Sequence, residues 1–326
     1  MLNKDTLLAG VLAASGGKQV IKYDIAGKPS VMVRIPRFNL EDISPDLGTG
    51  PHPAFVVGGV VKDEIFIGAY QAVVDEGKAC SLPGVSPTVN INFDNAKKAC
   101  TDKGPGWHLM TNWEWAAVAL WALKNGFQPR GNTASGKAYE AGYETGTPAP
   151  DNALKTLAGT GPNSWRHDNG PFGIADLVGN ISEWQDGLKI VDKVIFMPDD
   201  NNYALAESAW PKPAGDQVVL GAQVASEGGW RGMTTTFGSL SDDIKKKLAS
   251  AMVVPNIVSG NTPLAIFSQD GNAVHGAFYI TDTGEMLPFR GGSWDAGAVA
   301  GLAYLHLYYV RSIVRAIIGL RPAFIA

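Results

Sequence analysis

Cysteine is almost absent: Cys80 and Cys100 are the only two in 326 residues, too few for a disulfide framework. They stand either as two buried thiols or as one bridge, and the redox compartment stays open. The five histidines, His52, His108, His167, His275 and His306, are dispersed. None is paired with another at the spacing that sets two imidazoles on one helix face, so local sequence offers no metal site. No apolar run reaches the length of a bilayer span, and no membrane insertion is expected. Charge is sparse as well. The 27 basic and 31 acidic residues give a net charge of −4, and the basic ones form no patch that would track a phosphate backbone, which argues against a nucleic-acid partner. Walker-type loops, a G-x-S-x-G elbow and C-x-x-C are all missing.

What is abundant is glycine, proline and tryptophan, at 39, 20 and nine residues, in a chain that is 45% hydrophobic. That mixture predicts an α+β fold, loop-rich with short strands and two main helices, and excludes a helical bundle. With no internal repeat and no low-complexity linker, the expectation is one continuous domain over residues 31–326 after an N-terminal extension, 1–30. The opening MLNKDTLLAGVLAASGGK has a short apolar run, Thr6 to Ala14, but the single lysine before it, Lys4, is offset by Asp5. A capped helix starting after Asn3 or Asp5 fits it better than a signal peptide.

Residues 19–36 alternate apolar and polar positions around Gly27-Lys28-Pro29 and predict a hairpin, while FNLEDISPDLGTGPHP reads as loop. AFVVGGVV and EIFIGAYQAVV read as strands joined at Lys62-Asp63. Helices are predicted from Phe93 or Asp94 to Lys103, and from Asn112 to Lys124 behind a Thr111 cap. The second is apolar all round and belongs inside the domain. Residues 127–170 predict a long ordered loop; KVIFM, DQVVLGAQV and HGAFYIT predict strands, and SDDIKKKLASAM a helix.

Few constellations suggest chemistry. RGNTASGKAYEAG has the glycines of a phosphate loop without their spacing and reads as a solvated loop. Asp176, Glu183 and Asp186 are candidates for general acids or metal ligands, against the reading that they are structural hydrogen-bond acceptors beside Trp184. Taken alone, none of these demands catalysis, and no catalytic residue and no cofactor is assigned.

Three motifs in order carry a resemblance. GIADLVGNISEW is similar to the Gly-Asn-x-x-Glu-Trp turn of the formylglycine-generating enzyme family, FRGGSW to its Arg-Gly-Gly-Ser-Trp strand and GLRPA to its closing Gly-Phe-Arg, with Leu320 in place of the Phe. GWHLMTNWEWAAVA and EIFIGAYQAVV sit where the family has its main helix and first strand. The resemblance covers residue 30 to the end and implies the C-type lectin fold in that family's version. The family's oxidases use a cysteine pair near the C-terminus, which is missing after Arg290, so the resemblance does not imply their activity. The ergothioneine-synthesis relatives need a histidine iron triad and a further domain that this chain does not supply. Calcium-type sites of the parent enzymes near the Gly-Asn turn make Asn180 a candidate ligand.

A second branch with this fold, the variable proteins of diversity-generating retroelements, opens its C-terminal repeat with Gly-Gly-Ser-Trp and closes it with Ile-Gly-Phe-Arg. Here GGSW is at 291–294 and IGLRPAF at 318–324, which places the variable region at 290–322. Rewriting at AAC codons excludes Lys, Glu, Gln, Met and Trp, and none of these occurs from Asp295 to Ile317. Matched to such repeats, the varied, ligand-binding positions are Asp295, Ala296, Val299, Tyr304, His306, Tyr308, Tyr309, Ile313, Arg315, Ala316 and Ile317, with Ala303 and Val314 as further candidates. Gly297, Gly301, Leu305, Leu307, Arg311, Ser312 and Gly319 are expected as scaffold. In LAYLHLYY a strand would turn Leu305 and Leu307 inward and Tyr304, His306 and Tyr308 outward. The expected function is non-catalytic binding of a partner, a protein on a host or target cell, by a protein carried by a phage, virus or microbial genome, with virion, cell surface and cytoplasm all open as its location. The alternative is an inactive formylglycine-generating-enzyme-like domain serving as a virion structural or adhesive protein of fixed specificity.

Overall fold

In the computed structural model, which describes residues 4–216, 240–253, 274–280 and 283–326, the first helix is α1 (Lys4–Ala14), none of whose residues is buried. The expected hairpin follows: β1 (Gln19–Tyr23) pairs antiparallel along its length with β2 (Pro29–Pro36). The stretch read as an extension thus ends in a strand hydrogen-bonded to the body of the fold.

The loop after β2 is more structured than its Pro, Gly and Asp content suggests, because Asn39 caps a one-turn helix, α2 (Leu40–Ile43), and Ser44 caps the turn after it. AFVVGGVV is not one strand. Gly58 and Gly59 take positive φ (56° and 80°) and fold it into a tight hairpin of β3 (Val56–Val57) and β4 (Val60–Val61). EIFIGAYQAVV likewise divides into β5 (Glu64–Gly68) and β6 (Val73–Asp75), the latter paired with β7 (Lys78–Cys80).

Next come α3 (Phe93–Thr101), β8 (Trp107–Leu109) and α4 (Asn112–Lys124). α4 starts where the sequence places it because Thr111 Oγ1 accepts the Glu114 N–H while the Glu114 carboxylate accepts that of Thr111. All of Asn112 to Leu123 is buried except Trp121. The indole N–H groups find carbonyls, Trp113 on Pro198 and Trp115 on Leu302, each at 3.0 Å. Truncating either ring would cost about 3–5 kcal/mol.

The 127–170 loop holds the short pair β9 (Pro148–Ala149) and β10 (Asn152–Thr156) and one 3-10 turn, Asn163–Trp165. Its RGNTASGKAYEAG segment is less solvated than expected: Ala138 and Ala141 pack on Trp165, whose indole donates to Glu144, itself paired with Arg130. The remaining elements are β11 (Ser182–Trp184), β12 (Lys189–Val191), β13 (Val194–Phe196), α5 (Asp242–Ser250), β14 (Phe278–Ile280), β15 (Glu285–Gly291), β16 (Gly301–Tyr309), β17 (Ile318–Gly319) and β18 (Pro322–Phe324). Apart from Asp216, the expected strand DQVVLGAQV lies outside the described residues.

Two main sheets result among the described residues, beside three two-stranded pairs, in a mixed α/β arrangement that is loop-rich, with short strands and few helices. One is antiparallel in the order β1-β2-β5-β18-β8. The other is built on β15, which takes β12 and β11 on one edge and β16 on the other; β14 lies beyond β16 and β17 beyond β11, both parallel. The main core combines Val33, Ile65 and Ile67 of the first sheet, Ile190, Leu305 and Leu307 of the second, and α4.

Two fully buried arginines lock this arrangement. Arg321, just before β18, grips both oxygens of Glu183 on β11 (2.8 and 2.6 Å) and donates to the carbonyls of Gly68 and Ala175, so it joins the two sheets. Removing one partner of such a buried pair costs about 3–5 kcal/mol. Arg290, on β15, has no carboxylate among its hydrogen-bond partners in the described residues: it donates to Asn112 Oδ1 (2.9 and 2.7 Å) and to the carbonyl of Met252. Burial accordingly pulls its guanidinium down to about 9.

Candidate binding face

The stretch between the two expected anchors begins at a backbone that only glycine can make. Gly291 has φ 88°, and a Cβ there would lie 2.3 Å from the Leu177 carbonyl oxygen. The chain then turns through the Ser293 hydroxyl, which bonds Asp295, into a short helical turn over Gly297–Val299. The 127–170 loop braces that turn: Thr133 O accepts the Gly297 N–H, and Trp294 O accepts the Ser135 N–H. Asp295 is exposed, whereas Ala296 and Val299 are half-buried against the core.

β16 alternates as its sequence demands, with Leu305 and Leu307 fully buried in the main core. On its other face the register sets Tyr279 of β14 and Phe289 of β15 on either side of His306, and Trp184 of β11 beside Phe289. The result is a row of rings across four strands. His306 stacks on Phe289 (4.3 Å, 17°) and leans on Tyr279 (4.9 Å); Trp184 meets Phe289 edge-on (5.4 Å, 86°), and Phe93 of α3 closes the row (5.9 Å, 84°).

Tyr304 was expected to face outward. It is buried instead, 7% exposed, because Tyr279 and Phe289 flank it from the neighbouring strands at 5.8 and 6.4 Å. Burial raises its phenol. Ala303, a further candidate, is wholly in the core. His306 is mostly covered as well: burial pulls its imidazole down to about 3, and Nδ1 has no hydrogen-bond partner among the described residues.

Further along, the ladder slips. Leu287 faces Tyr309 while Phe289 faces His306, so two steps on β15 answer three on β16. The extra residue is a bulge, and it turns Tyr309 onto the face of His306, 5.0 Å away, where regular alternation would have put it in the core. Tyr308 stays out, 54% exposed, and meets Tyr309 edge to face at 6.0 Å.

The loop that follows is pinned by Arg311. Its guanidinium reaches Asp94 (2.6 Å), Glu207 (2.5 Å) and Glu285 (3.2 Å) and lies 5.3 Å from the Phe93 ring. Lys189 shares Glu207 and Glu285, and Lys97 bridges Glu207 and Asp186. Burial alone would raise the carboxyls of Glu207 and Glu285, but hydrogen bonds and charge from Arg311 and Lys189 outweigh it and hold both below the usual range. The 88–93 segment adds backbone clamps, with the Asn90 and Phe93 N–H groups on the carbonyls of Arg315 and Arg311. Thus fixed, the loop exposes Val310, Val314, Arg315 and Ala316, while Ile313 and Ile317 tuck against the ring cluster. Arg315 sits over the Tyr309 ring at 5.3 Å.

Of the expected positions, the structure therefore exposes Asp295, Tyr308, Arg315, Ala316 and Val314. It half-buries Ala296, Val299, His306, Tyr309, Ile313 and Ile317, and buries Tyr304 and Ala303. One neighbour went unnoticed in the sequence: Tyr139, 58% exposed, whose ring is 3.7 Å from where a Gly297 Cβ would be.

The chemical candidates resolve as structural groups. Asp176 accepts from the Gly159 N–H, Glu183 holds Arg321, and Asp186 pairs with Lys97 at 2.9 Å. Asn180 does not fit a calcium ligand. Its Oδ1 already accepts from Thr156 N–H and Asn132 Nδ2, and its Nδ2 donates to Gln71 and Thr156, so no lone pair is left for a cation. Among the described residues no cluster of His, Cys, Asp and Glu could hold a metal ion. Both cysteines are free and buried, their thiols raised by desolvation, which opposes thiolate chemistry.

No protein-family model matches the chain, and neither does any curated protein. Among solved structures it is similar to the Major Tropism Determinant I1 variant, at 13% identity and a TM-score of 0.34, over 91% of this chain and 56% of that one. The U1 variant matches at the same identity and TM-score, over 63% of its length. Treponema denticola variable protein 1 matches at 14% identity and a TM-score of 0.34, over 94% of this chain and 98% of that one. The chain thus spans less than two thirds of either Major Tropism Determinant variant, and backbone agreement this loose assigns neither fold nor activity.

Proposed function

We propose that this chain is a non-catalytic ligand-binding protein with the C-type lectin fold, a variable protein of a diversity-generating retroelement, whose stretch from Asp295 to Ile317 meets a protein on a host or target cell. One observation carries the reading. Tyr308, Val310 and Val314, at 54%, 44% and 46% exposed, stand together with Arg315 on a segment that buried rings and the Arg311 ion cluster hold rigid. Large apolar side chains offered to water on a braced backbone suit a partner's surface, and tyrosine and arginine give contact area and hydrogen bonds at low entropic cost. A phage or viral setting, on the virion or in the cytoplasm of the infected cell, goes with this reading.

The burial of Tyr304 and Ala303 favours a second reading at those two positions: an inactive formylglycine-generating-enzyme-like domain, structural or adhesive, of fixed specificity. Sequencing the DNA around the gene separates the two. A non-coding copy of codons 290–322 that differs almost only at adenines, beside a reverse-transcriptase gene, is the expected result. A complete genome without such a copy would remove the retroelement reading and leave the fixed one.

A further inference from the structure

A cleft of about 730 Å³ involves residues that the binding face does not use. It is lined by β2 and the residues after it, the turn that follows α1, the Trp121 side of α4, and His167 and Asp168. Its walls are largely apolar: Val33, Ile35, Phe38, Val118 and Trp121.

His167 is buried, 4% exposed, and its Nδ1 accepts the Ile174 N–H at 2.9 Å. The ring proton therefore sits on Nε2. That N–H has no hydrogen-bond partner among the described residues, although the ring lines the cleft, 5.5 Å from Trp121. The donor is thus open to an acceptor that enters the cleft.

The charges at the rim are nearly balanced. Lys18 is committed to Asp168 at 2.6 Å and Arg34 to Glu64 at 2.9 Å. Arg37 is the exception, since its Asp63 partner is 3.7 Å away and 97% exposed, a contact too solvated to neutralise it.

We propose that this cleft binds a small amphipathic anion, an alkyl or aryl carboxylate, with its apolar body against Trp121 and Phe38 and its carboxylate met by the His167 Nε2–H and Arg37. An apolar pocket whose lining offers a ring N–H and one uncompensated guanidinium selects for that combination. Octanoate, octanol and octylamine share a chain and differ in charge, so titration calorimetry of the whole protein with each at pH 7 tests the idea. Saturable one-to-one binding of octanoate is expected, about tenfold tighter than octylamine and weakened about tenfold by Arg37→Glu. Trp121→Ala should weaken all three probes; if that variant fails to fold, Arg37→Glu alone decides. No binding of octanoate to folded protein, equal affinity for octylamine, or an unchanged Arg37→Glu variant would each overturn the proposal. Failure here leaves the reading of the 295–317 face standing, because none of its residues lines the cleft.

Discussion

Tyr304 and Tyr308 differ by four positions on one strand face and by 7% against 54% exposure, and that contrast is measurable. Tyr308→Ala is expected to shift stability by no more than about 0.5 kcal/mol, as a surface substitution does, while abolishing capture of any partner that uses the face. Tyr304→Ala is expected to cost about 3–5 kcal/mol, as a buried aromatic truncation does. Urea midpoints for the two variants check both. A loss above about 2 kcal/mol in the first would mean that Tyr308 is packed rather than presented. Tyr309 belongs between them, since the bulge lays its ring on His306.

At the scale of elements, the loop after β16 depends on one side chain. Arg311→Ala would leave Asp94, Glu207 and Glu285 without their shared cation, and hydrogen exchange at the Asn90 and Phe93 amides, which bond to that loop, should speed up while α4 stays protected. Acid should loosen the same contact. The carboxyls of Glu207 and Glu285 are held below their ordinary value, so their contribution is fully present above about pH 4.5 and lost as the pH falls through the depressed values beneath it. Exchange rates at pH 6 and pH 3.5 test this, and equal protection at both would refute it. These elements also show what the sequence could and could not reveal. The Thr111 cap of α4 was legible because its signal lies within four residues, and the hairpin at Gly27 for the same reason. The row Tyr279, His306, Phe289, Trp184 was not legible, because it depends on which residues face one another across strands distant in sequence. Nor was the place of Tyr309, because period-two alternation has no symbol for a bulge.

For the molecule as a whole, buried histidines set the response to acid. Burial depresses His52 to about 4, His306 to about 3, and His167 in the same direction. All three are neutral in the folded chain near pH 5, where an unfolded chain would protonate them. The three histidines together pull stability down below about pH 6.5, by on the order of 4 kcal/mol per pH unit, each at about 1.4, while the buried carboxyls of Asp176 and Asp186, raised by desolvation, act in the opposite direction. Melting temperatures from pH 7.5 to pH 4.5 measure this slope. Replacing His52 with an isosteric neutral residue should reduce the fall by about 1.4 kcal/mol per pH unit.

The bulge in β16 has a last consequence, which concerns counting rather than chemistry. Side chains along 306–309 can be exchanged without altering which way the backbone carries them, but a residue added or removed there would flip the strand positions that follow it and pull Arg311 away from its three carboxylates. The segment is therefore tolerant of spelling and intolerant of length. A library built on this surface should substitute freely at Tyr308, Val310, Val314 and Arg315 and never insert or delete.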